Sequence, residues 1–143
     1  MTAPPATLVL DNEAVQALAD VNHRKHRRAL SFIEVANQRS SRRRQPVSVV
    51  VPVAVRVEAG WARTASAAAM LNRISRARDV TLDGPAANRA AELRAGAAVS
   101  AVDATVGHVA ETSAGPVAIL TSDAADIRRL AGLVDGDVRV IQL

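Results

Sequence analysis

Four acidic residues interrupt or terminate apolar stretches of the chain: Asp11 after TLVL, Glu58 inside VPVAVRVEAGW, Asp103 inside VSAVDATVGHVAE and Asp123 closing VAILTSD. Carboxylates gathered at one edge of a sheet repel one another unless a cation sits among them. A site of hard oxygen donors, without His or Cys ligands, suits Mg²⁺ or Mn²⁺. Such an ion keeps water molecules, one of which can be activated as a nucleophile. Each acid also has a structural alternative. Asp11 can cap the helix that follows it. Glu58 falls beside the stripe Ala54, Val57 and Trp61 at about 100° per residue, which points it toward the core side, with pairing to Arg56 or Arg63 as the alternative. Asp103 follows Ser100 in an S-x-x-D capping spacing. Asp123 and Asp126 form a similar pair, in which Asp126 reads as a helix cap. The joint arrangement at strand ends and inward helix faces favours the metal.

The elements that must position these groups alternate along the chain. Thr7 to Leu10 reads as a strand, followed by a helix through Ala14, Val15, Leu18 and Ala19. Ala29, Ile33 and Ala36 give Arg24 to Gln38 one apolar helical stripe with an arginine-rich back, and Arg39 to Gln45 reads as a loop. Val47 to Val51 is a strand by its β-branched content, and Pro52 can open the helix carrying Glu58. Beyond Gly60, ARTASAAAML favours a further helix through Leu71. Val80 to Leu82 reads as a short strand, Asp83-Gly84-Pro85 as the turn into a helix through Ala95, and Gly96 as its stop. A helix over about Ala101 to Thr112, a strand from Val117 to Thr121, a helix from Asp123 through Leu130 and a last strand from Val138 to Ile141 complete the reading. Strands separated by helices imply parallel pairing, with a functional crevice beyond the carboxyl ends of the strands. Asp11 and Asp123 sit at such ends.

At 143 residues and 49% hydrophobic content the chain suits one domain, residues 1–143. The absence of cysteine excludes disulfides and thiolate metal sites and fits a reducing compartment, the cytoplasm. Neither a signal peptide nor a membrane-spanning run is expected. Net charge is +4, and Lys25 is the single lysine among 18 basic residues. Arg24, Arg27, Arg28, Arg42, Arg43 and Arg44 concentrate positive charge in a segment over about 23–45 that can grip phosphates. With Phe32 and Trp61 as its only aromatics the chain lacks the platforms on which single-stranded bases stack. No phosphate-cradling glycine loop occurs. His23 and His26 at i, i+3 lack further ligands, and His108 reads as a packed or surface residue.

TLVLDNEAVQAL, VVVPVAVRVEAGW, VSAVDATVGHVAE and VAILTSDAADIRRLAG, in this order, resemble the motifs of PIN-domain ribonucleases, in particular the VapC-like toxins of toxin-antitoxin pairs. Asn12-Glu13 departs from the Thr or Ser usual beside the first acid, and the arginine-rich insert departs in length. The resemblance implies a three-layer α/β/α fold with a central, mainly parallel sheet and Mg²⁺-dependent endoribonuclease activity, Mn²⁺ substituting. It implies Asp11 and Asp103 as direct ligands, with Glu58 and Asp123 completing the site directly or through water. Thr121, Ser122 and Asn12 become groups that position metal, water or substrate. RNA as substrate, a cognate antitoxin and a homodimer are the partners it implies. The alternatives are a catalytically weak or inactive nucleic-acid-binding module on the same scaffold and a receiver-like phosphohydrolase, for which a single lysine is a poor fit.

Overall fold

A computed structural model of the chain describes residues 4–43, 47–75 and 79–143, with the backbone alone for 39–43 and 67. β1 (Thr7–Leu10), β2 (Ser48–Val50), β3 (Val117–Thr121) and β4 (Val138–Gln142) form one sheet in the order β2-β1-β3-β4, with every pair parallel. β1 and β3 are the central strands and are buried along their whole length. Their unbroken apolar runs are what a parallel strand covered on both faces requires.

The order of strands decides where a site can form. From β1 the chain crosses to β2 on one side, and from β3 it crosses to β4 on the other. Right-handed crossovers in opposite directions put the connecting helices on opposite faces, which gives three layers. They also leave a crevice between the carboxyl ends of β1 and β3, where the strand order reverses.

After β1 come α1 (Asn12–Ala19) and α2 (His26–Arg43). Ala29, Ile33 and Ala36 are buried as their spacing requires. The expected loop from Arg39 to Gln45 is corrected: α2 continues to Arg43. Arginine is a strong helix former, and neither Gly nor Pro interrupts the sequence before Pro46. α3 (Val53–Glu58) follows β2, and the further helix expected over ARTASAAAML is shorter and later: a loop and a 3₁₀ turn at Ser66–Ala68 lead into α4 (Ala69–Ile74). Gly60, at φ +68°, makes the break, and the Trp61 N–H folds back onto the Arg56 carbonyl at 2.8 Å.

α5 (Gly84–Ala97), α6 (Ala101–Thr112) and α7 (Ala124–Ala131) complete the helices named here. The expected strand at Val80 to Leu82 reduces to a single bridge between Val80 and Pro52. Gly96 lies inside α5, and the left-handed position that ends it is Ala98, with φ 52° and ψ 51°. A Cβ on Gly107 of α6 would stand 3.2 Å from Leu130 Cδ2 of α7 and 3.5 Å from Leu93 Cδ1 of α5, so the missing side chain lets three helices close on one another. Leu10, Leu18, Leu93, Leu120 and Leu130 are fully enclosed. Each such side chain contributes about 1.5–3 kcal/mol relative to exposure. This core holds the strand ends, and therefore the carboxylates, in register.

Candidate active site

Asp11 is placed by two local demands. Its backbone N–H continues the sheet to the Leu120 carbonyl at 3.2 Å, and its Oδ1 accepts the Ala14 N–H at 2.9 Å as the N-cap of α1. The capping alternative is thus correct, and it fixes the carboxylate in the crevice with only 7% exposure. Burial lifts its pKa, and Asp103 adds repulsion, while the Thr121 hydroxyl and the Ala14 and Ser122 N–H groups act the other way. The Thr121 hydroxyl oxygen also accepts the Asp123 N–H at 2.9 Å.

Asp103 enters on the first turn of α6. The Ser100 hydroxyl accepts its N–H at 3.1 Å, so the S-x-x-D spacing does form a cap. Its carboxylate is nevertheless near enough to Asp11 to contribute to the raised pKa of that residue. Partial burial raises the pKa of Asp103 itself, with Asp123 and Asp126 contributing repulsion and Ser100 opposing the rise. Asp123 caps α7, accepting the Asp126 N–H at 3.4 Å.

Ligand oxygens of Asp103, Asp123 and Asp126 all lie within 4.8 Å of one another. Octahedral coordination with bonds of about 2.1 Å places opposite oxygens about 4.2 Å apart, so a small inward adjustment of these carboxylates would let them hold one small divalent ion. The reading of Asp126 as a cap is corrected, since Asp123 is the capping residue and Asp126 supplies the N–H it receives. The signal was D-x-x-D at a helix start, which puts both side chains on one face. Asp126 is also bonded to Arg129, whose Nε donates to the Ala97 carbonyl at 3.0 Å. One guanidinium therefore offsets part of the negative charge.

Glu58 is the last residue of α3 and is exposed, which corrects the expected inward orientation. The supposed apolar stripe is split: Val57 is 82% exposed, whereas Trp61, beyond the end of the helix, is buried, and Val55 is the buried residue of the helix itself. Neither arginine pairs with Glu58. Arg56 and Arg63 both bind Asp79 and flank the Trp61 ring, their guanidinium carbons 5.3 and 4.6 Å from its centroid. Glu58 instead accepts from Asn12 Nδ2 at 3.3 Å. That bond ties the end of α3 to the residue after Asp11 and leaves Glu58 at the rim, outside the three-carboxylate group.

The arginines divide. Arg24 and Arg27 are exposed, whereas Arg28 Nη2 donates to the Gln142 carbonyl at 2.8 Å. Arg42 and Arg43 belong to the last turn of α2, and Arg44 lies outside the described residues. His26 Nδ1 is 2.7 Å from the Ala17 carbonyl and His23 Nε2 is 3.4 Å from Glu13, so the two histidines serve different partners.

No family model and no curated protein matches the chain. Among solved structures it is similar to a chain in the crystal structure of FitAcB from Neisseria gonorrhoeae, with a TM-score of 0.60 and 13% identity over 94% of this chain and 96% of that one. The likeness is one of fold, and the four-stranded parallel sheet flanked by helices is PIN-like. Among the described residues no helix is long and apolar enough to cross a membrane.

Proposed function

We propose that the protein is a Mg²⁺- or Mn²⁺-dependent endoribonuclease that acts as the toxin of a toxin-antitoxin pair in the cytoplasm. The observation that carries this reading is the grouping of Asp103, Asp123 and Asp126, with Asp11 buried at the end of the neighbouring strand, where the strand order reverses. The donor set is all carboxylate oxygen, which fits a hard divalent cation; burial raises the pKa values of Asp11 and Asp103, and the smaller repulsion between neighbouring carboxylates is what such a cation would relieve. Bound there, the ion would activate water and offset charge on the phosphodiester under attack.

The chain's own residues do the positioning. Asp11 and Asp103 are the principal ligands in this reading, each fixed by a helix cap, with Asp123 and Asp126 closing the other side. Glu58 acts from the rim, through water, with Asn12 orienting it. The exposed Arg24 and Arg27 supply contacts to phosphate, which set register on RNA and carry little base information. An antitoxin and a second copy of the chain complete the proposed partners.

The test is cleavage of total RNA by the purified protein with Mg²⁺, Mn²⁺ or EDTA, in parallel with Asp11→Asn and Asp103→Asn. Cleavage is expected with either metal and should fall to background in EDTA and in both variants. Cleavage that survives EDTA would overturn the metal site. RNA binding without cleavage under every metal condition would replace the enzyme by a non-catalytic binding module on the same fold.

A further inference from the structure

The residue that closes the last strand makes bonds on three sides. Gln142 pairs with Thr121 in the β3–β4 register, its carbonyl accepts Arg28 Nη2 from α2 at 2.8 Å, and its Nε2 donates to the Ser122 carbonyl at 2.9 Å. The Ser122 carbonyl belongs to the peptide unit whose N–H is that of Asp123. That N–H is bound by the Thr121 hydroxyl oxygen at 2.9 Å. The Ser122–Asp123 peptide is therefore held at both ends, by Gln142 on the carbonyl side and by Thr121 on the amide side. Through this one peptide the end of β4 bears on Asp123, which caps α7 and belongs to the three-carboxylate group.

From this geometry we infer that Gln142 is a positioning residue for the carboxylate site, acting through the Ser122–Asp123 peptide and Thr121. Without its amide, the Ser122 carbonyl loses its side-chain donor and the peptide is free to rotate. Rotation withdraws the Asp123 N–H from Thr121 and shifts the Asp123 carboxylate relative to Asp103 and Asp126. Arg28 serves the same end by fixing the Gln142 main chain, which ties one residue of the arginine-rich helix to the end of β4. Partners that orient metal ligands in this way typically alter metal affinity by tenfold or more, and Gln142 acts one step further removed.

This inference rests on the metal reading above. Its test is Mn²⁺ binding by calorimetry for the parent, Gln142→Met, Thr121→Val and the double variant, with unfolding in EDTA followed by Trp61 fluorescence. Gln142→Met keeps the length of the side chain and removes the donor. It should weaken Mn²⁺ binding several-fold, to about tenfold at most, with little change in apo stability. Because the two residues hold opposite ends of one peptide, the double variant should bind Mn²⁺ little worse than Thr121→Val alone. If Gln142→Met fails to fold, Gln142→Ala takes its place. A parent that binds no Mn²⁺ would overturn the metal reading and this inference with it. A parent that binds, with unchanged affinity in the Gln142 variant or full additivity in the double variant, would overturn the positioning role alone.

Discussion

Asp11→Asn separates the structural and chemical duties of one carboxyl group, and the two duties have opposite signs. Asn caps a helix about as well as Asp, so the bond to the Ala14 N–H survives the change. Asp11→Ala loses the cap, about 1 kcal/mol, and leaves a buried N–H without a partner, so it should be less stable than the Asn variant by about 1–2 kcal/mol. Charge works the other way. Burial raises the folded-state pKa of Asp11 above its unfolded value, so the proton is held more tightly in the folded protein. The stability this contributes is fully present below the unfolded carboxylate pKa of about 3.9 and is lost as pH rises through the folded value. In EDTA at pH 7 the Asn variant should therefore melt above the parent, and the gap should shrink toward pH 4. Asp103 contributes with the same sign. Asp79 and Glu111 have lowered pKa values from their arginine partners, so their stabilisation is present above the unfolded pKa and fades as pH falls. The difference between parent and variant, rather than either raw curve, thus isolates Asp11. Metal inverts the order: at ten times its dissociation constant a bound ion stabilises the parent by about 1.4 kcal/mol. That corresponds to about 4 °C for a domain of this size. Trp61 is the single tryptophan and is buried, so its fluorescence reports the transition. An Asn variant that melts below the parent in EDTA at pH 7 would refute the burial argument. One that gains as much as the parent from Mn²⁺ would remove Asp11 from the site.

Two further outcomes follow from the packing and from the arginines. Gly107→Ala should change stability by less than about 1 kcal/mol, because the gain in helix propensity offsets a 3.2 Å contact with Leu130, whereas Gly107→Val should cost about 1–3 kcal/mol; denaturant titration measures both. Replacing the exposed Arg24 and Arg27 by glutamine should weaken RNA binding and flatten its log-log salt dependence by roughly 0.7 per lost phosphate contact, with Mn²⁺ affinity unchanged; an unaltered slope would assign these residues to a protein partner.

The alternation of apolar strand and amphipathic helix was legible in the residues themselves. TLVL and VAILT are short, unbroken apolar runs, and local sequence alone puts the acids that follow them at strand ends. Local capping chemistry was equally legible, since Ser100 and Asp123 needed only the next three residues to act. Boundaries that depend on distant partners were not. Val80 to Leu82 has strand composition, but the fold offers it a single bridge to Pro52. Glu58 shows how a helical wheel fails: it gives an angle around an axis, and only the packing of α3 decides that Val55 faces the core while Val57 and Glu58 face out. Asp126 shows the converse. Its sequence neighbourhood explains it as a cap, whereas the approach of α6 to α7, allowed by Gly107, brings Asp103 within ligand distance of both Asp123 and Asp126. Periodicity and capping act over a few residues and are written into the chain by itself. The meeting of carboxylates from different elements depends on the strand order β2-β1-β3-β4 and on close helix packing, long-range outcomes that no local stretch of sequence encodes.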